Sequence, residues 1–165
     1  MGLAACFIAI DKNAVDTFFA NPDSLEEFLS EQFESEEPTN IVDVDKSWHC
    51  IHFMLTGQAE GGEEPLAWAV LGGEETGDDA GHGPARILRP DQVKSVSAAL
   101  ASIDKTEFSS RYDPAAMKAA DIYLSDMCVR DGEEALEYIV ENYLGLTDFY
   151  RDAAERGDGA VLLIC

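Results

Sequence analysis

Asp45, His49 and His52 lie in the stretch DKSWHCIHFMLTG, residues 45–57, at spacings of four and three. Wound as a helix at 100° per residue, they fall within about 60° of one another. A carboxylate and two imidazoles on one face could hold zinc or iron, with His82, the only other histidine, as a further ligand from elsewhere. The same residues also have a purely structural reading. Asp45 precedes the apolar stretch as an N-cap does, and a buried histidine is satisfied by one carbonyl or carboxylate. The glutamate of H-E-x-x-H is missing. We therefore read the histidines as structural and expect no metal or other cofactor.

Trp48, His49 and His52 could instead line a ligand pocket together with the glycine-rich stretch from Gly72 and Gly73 to Arg86. There glycines let backbone approach a ligand and Arg86 could receive an anion. No phosphate loop or dinucleotide fingerprint accompanies them, and Glu74, Glu75, Asp78 and Asp79 would oppose a nucleotide's phosphates. Nor do the acidic positions follow a calcium-loop series. For nucleophilic catalysis, G-x-S-x-G is absent. Cys50 beside His49 points 100° away from it on a helix and reads as a small core residue. Tyr112 and Asp113 precede a helix start, where Asp113 as cap and Pro114 at the first position explain the pattern without chemistry.

The elements positioning these residues follow from periodicity. Residues 45–57 are apolar almost all round, which places this helix at the centre of the fold. AACFIAI (4–10) reads as a buried strand, followed by a short helix capped by Asp11 and a second beginning at a Ser24–Glu27 capping box. Residues 66–71 read as a strand stopped by Gly72-Gly73 and paired with residues 86–88, the residues between being a long loop. Pro90 opens a helix with Val93, Val96, Leu100 and Ile103 inward, and Asp104 and Asp113 start two shorter ones. Asp131 and Glu134 read as a capping box for the next helix, which Gly145 closes as a left-handed cap. Thr147 then starts a last helix, and residues 160–165 end the chain as a strand. The expected architecture is one α+β domain over residues 1–165, a small mixed sheet of about four strands with helices packed on it.

DKSWHCIHFMLTG, a following LGG, GHGPARIL with Pro90 opening the next helix, RYDPAAM and a final FYRDAA together resemble the uncharacterised bacterial YfbM-like family along nearly the whole chain. The resemblance implies an α+β domain of unknown function and carries no activity with it. Cys50 and His82 depart from the family pattern, which tends to glycine and an aromatic residue there. Arg89 stands where a small hydroxyl residue would cap the Pro90 helix.

Eleven Lys and Arg against thirty-three Asp and Glu give a net charge of −22, which repels nucleic acid and anionic membrane surfaces. Four scattered cysteines form no C-x-x-C pair and read as reduced, buried thiols. With no apolar run near the roughly twenty residues of a span, the protein reads as cytoplasmic. The leading expectation is a non-enzymatic interaction protein whose acidic surface engages a basic protein partner, of inhibitor or immunity type. The alternative is a small enzyme or a ligand- or metal-binding protein using the Trp48–His49–His52 helix and the Gly72–Arg86 loop.

Overall fold

In a computed structural model, which describes residues 2–79 and 81–165, five strands form one sheet in the order β2-β1-β5-β4-β3. They are β1 (Ala5–Ile10), β2 (Ile41–Asp43), β3 (Glu74–Asp79), β4 (Pro84–Leu88) and β5 (Gly159–Ile164). Every pairing is antiparallel, so the sheet is not mixed as expected. β1 and β5 lie side by side near the middle with helices over both faces. Continuous apolar runs rather than alternation are the consequence.

Alternate residues of these strands feed two cores. Ile8, Ile10, Ile87, Val161 and Leu163 face α1 (Lys12–Ala20) and α2 (Pro22–Glu34), meeting Val15, Phe18 and Leu25. On the other face Phe7, Ala9, Leu88, Ala160 and Leu162 meet the larger layer. That layer comprises α3 (Trp48–Thr56), α4 (Trp68–Leu71), α5 (Pro90–Ala101), α6 (Lys105–Ser110), α7 (Pro114–Ala119), α8 (Ser125–Asp131) and α9 (Glu133–Arg156). α3 carries six buried residues out of nine, as an all-round apolar helix should. Asp11, Asp104 and Asp113 cap α1, α6 and α7 through backbone N–H groups of Ala14, Glu107 and Ala116.

Several expectations give way. Residues 66–71 are not a strand: Trp68–Leu71 form α4, and β4 pairs instead with β3 and β5. Periodicity cannot separate so short an apolar run from a buried helical turn. Tertiary contacts decide it, since Tyr150 donates its hydroxyl to the Ala69 carbonyl at 2.7 Å, and a Cβ on Gly72 would collide with the Trp68 backbone. The supposed loop after Gly73 is largely β3, an edge strand with exposed Glu74, Glu75, Asp78 and Asp79 and a buried Thr76. Charged residues suit an edge, which pairs on one side only.

α9 runs unbroken through Gly145, whose backbone is helical rather than left-handed, so no helix begins at Thr147. Asp131 does not cap it, because its carboxylate is taken by Arg130 and Gly132 occupies the cap position. α2 begins at Pro22, ahead of the expected Ser24 cap, and the Ser24 hydroxyl donates back to the Asn21 carbonyl. None of the helices among the described residues is long and apolar enough to cross a membrane.

Candidate functional site

Asp45 is not the cap of α3. It sits in a single 3₁₀ turn, Asp45–Ser47, with φ +49°, and its carboxylate accepts the Tyr138 hydroxyl at 2.7 Å. Tyr138 Oη also accepts the Lys46 backbone N–H at 3.2 Å. Burial, then the bond to Asp45, pushes the phenol's pKa up. This pair joins the α3 entrance to α9.

His49 has both ring nitrogens engaged by backbone. Nδ1 accepts the Tyr123 N–H at 2.9 Å and Nε2 lies 2.9 Å from the Ala59 carbonyl, which requires a neutral ring protonated on Nε2. The ring stacks on Trp48, centroids 4.9 Å apart, and Trp48 stacks in turn near Tyr123 while donating its indole N–H to the Leu3 carbonyl at 3.0 Å. His52, one turn on, is fully buried and neither ring nitrogen has a hydrogen-bond partner of good geometry. Burial lowers its pKa to about 4; the neighbouring Gly61 backbone offsets this in part, while the Arg86 charge lowers it further.

Asp45, His49 and His52 therefore do not converge on one site: Asp45 lies outside α3 and borders a cleft with His49, while His52 is sealed in the core. Each looks to different partners. Among the described residues, no group of three or more His, Cys, Asp or Glu side chains is placed to hold a metal ion. Cys50 is a core residue, as expected, with its sulfur 3.7 Å from that of Cys128. Cys6, Cys50 and Cys128 are buried and unbridged, whereas Cys165 is exposed.

The remaining candidates divide. Gly72 and Gly73 serve the passage from α4 into β3, Gly73 at φ +97° passing the Ile87 backbone closely, where only glycine fits. The Tyr112 hydroxyl lies 3.0 Å from both the Cys128 and Gly132 carbonyls and ties down the end of α8, while Asp113 is the α7 cap. Arg86, half-buried on β4, donates Nη1 to the Leu71 carbonyl at 2.7 Å. Trp48, His49, His82 and Arg86 do come together, around a recess of about 430 Å³ that also borders Glu60 and Glu75. On its other side His49 borders a wider cleft of about 930 Å³ with Asp45, Tyr138, Asp121 and Leu124. Asp45, Asp121 and Leu124 account for three of the four left-handed non-glycine residues among the described ones.

A third concavity, unforeseen from the sequence, lies between α2 and the edge strand β3. This groove of about 600 Å³ has an apolar floor, including Leu29, Phe33 and Leu163, and a rim of Glu26, Glu34, Asp78 and Asp79. Phe33, at 50% exposure, is a large apolar side chain left open beside it. Leu25, Phe28, Leu29 and Phe33 recur at the spacing of one helical face of α2, yet only Leu25 is fully buried. That β3 stops short of covering Phe33 could only be seen once the supposed loop proved to be an edge strand.

The site is thus a set of surface recesses around one antiparallel sheet covered on both faces, a two-sided α+β domain. Residues 1–163 match the model of a domain of unknown function, DUF1877, and the chain belongs to that family. The fold is that of the crystal structure of a protein of unknown function, YfbM from Escherichia coli, with a TM-score of 0.73 at 22% identity, covering 98% of this chain and 99% of that one. Comparison with the curated proteins finds no match to the chain.

Proposed function

We propose that this protein acts by binding a basic protein partner, which presents an apolar segment flanked by Lys or Arg to the groove between α2 and β3. The observation behind this reading is the groove itself: an apolar floor with half-exposed Phe33, ringed by four carboxylates, on a chain of charge −22. Apolar contact supplies affinity, and the rim supplies speed and selectivity, because opposite charges steer encounter and like charges suppress wrong partners. A second copy of this chain is disfavoured as occupant by its own charge. Asp79 keeps its negative charge firmly, since the Gly81 and Gly83 backbone N–H groups donate to it and lower its pKa. Binding of this kind suits an inhibitor or immunity protein, whose task is to occupy a cationic surface on its target.

The test is fluorescence anisotropy with short labelled peptides alternating leucine with lysine, leucine with glutamate, and serine with lysine. Only the leucine–lysine peptide should bind. Phe33→Ala should weaken it about tenfold, the scale of one large apolar side chain losing part of its burial. The double variant Glu34→Gln, Asp78→Asn should reduce the salt dependence of binding. Equal binding of the serine–lysine peptide, or indifference to both variants, would show generic charge attraction and sink the proposal.

A further inference from the structure

Arginine 86 is anomalous in its company. Among the described residues, Arg89, Arg111, Arg130, Arg151 and Arg156 each have a carboxylate within 4 Å, whereas Arg86 has none, in a chain with thirty-three Asp and Glu. It is also half-buried, and its one hydrogen bond to protein is Nη1 to the Leu71 carbonyl. A guanidinium carries five N–H donors in a planar fork suited to a carboxylate. Withdrawing such a cation from water is unfavourable; the charge of Glu75 across the strand offsets this only in part, and an anion bonded to the fork would relieve the rest.

The recess it borders is of a size for a small ligand, near the lower end of typical binding pockets at about 430 Å³. Its charges are arranged with polarity. Arg86 lies inside, while exposed Glu75, its cross-strand partner on β3, and exposed Glu60 stand at the mouth. Two outer carboxylates repel a phosphate or dicarboxylate but attract an ammonium. Trp48 and His82 add ring surface to the walls.

We propose that this recess binds a small zwitterion of the α-amino-acid class, its carboxylate on Arg86 and its ammonium between Glu60 and Glu75. The site stands on residues distinct from the α2–β3 groove and does not depend on the docking reading.

Calorimetry and thermal-shift measurements on the whole chain would use three matched probe sets: free L-amino acids, the corresponding amines without the carboxylate, and the corresponding carboxylic acids without the ammonium. At least one amino acid should bind at one site per chain, with its amine and acid analogues at least tenfold weaker. Arg86→Lys retains the charge but loses the fork, and should weaken binding about tenfold. Glu75→Gln alters only an exposed side chain, and should weaken the amino acid while leaving the acid analogue unweakened or tighter, since one repelling carboxylate is gone. Failure of every amino acid to bind, acid analogues binding as tightly as amino acids, or unchanged binding in both variants would overturn the assignment.

Discussion

The imidazole of His49 accepts the backbone N–H of Tyr123 at 2.9 Å, joining α3 to a turn 74 residues further along the chain. Its other nitrogen bonds the Ala59 carbonyl, so one side chain fastens three segments. Both bonds are partly shielded from water, and a donor left without a partner costs more than the bond itself contributes.

His49→Phe keeps a flat ring against Trp48 while deleting both bonds and orphaning the Tyr123 N–H. We expect a loss of about 2–3 kcal/mol, from two hydrogen bonds of about 1 kcal/mol each and a Tyr123 N–H that water reaches only in part. Urea denaturation checks it. A change under about 0.5 kcal/mol would mean that the stack, not the bonds, holds the turn.

His52 supplies a pH dependence of definite sign. Its ordinary value of 6.5 applies to the unfolded chain, while burial holds it at about 4 in the folded protein. Between those values the unfolded state takes up more protons, so this residue's contribution falls as pH drops through the window and is fully lost below about 4. His52→Leu removes both orphaned nitrogens at similar volume. Its stability relative to wild type should rise by up to about 3 kcal/mol between pH 7 and pH 4. Measuring the difference cancels the carboxylates common to both proteins, and a flat difference across the window would refute the assignment.

Gly145 tests the continuity of α9. A Cβ there would meet Val42 at an ordinary 3.7 Å, and the backbone is already helical. Gly145→Ala should stabilise by about 1 kcal/mol, because alanine has less backbone freedom to lose. Were Gly145 a left-handed cap, the same change would destabilise. The direction of the midpoint shift in thermal unfolding separates the two.

Much of the fold was legible because local rules and tertiary demands agree. Asp11, Asp104, Asp113 and Pro90 mark helix starts through bonds or dihedral limits spanning a few residues. Where signals conflicted, the sequence misled. Ser24 and Asp131 had the right chemistry for caps, yet Pro22 started α2 earlier and Arg130 drew Asp131 away. Gly145 resembled a helix end, but the apolar faces on both sides of it pack as one helix.

The candidate site was half visible. Trp48, His49, His82 and Arg86 were named from residue type, and the structure gathers them around one recess. Asp45 and His52 were grouped with His49 by helical spacing, although spacing fixes only direction, not which partner an imidazole meets.

Residue types and their order alone determined the acidity, the buried central helix and the apolar strands at both ends, because each follows from local periodicity or from a sum of charges. Only tertiary structure decided that Glu74–Asp79 is a sheet edge, that His52 is sealed while His49 is not, and that Arg86 bonds the Leu71 carbonyl and makes no direct ion pair among the described residues. Those are relations between segments far apart in the chain, and burial and ion pairing come into being only when distant surfaces meet.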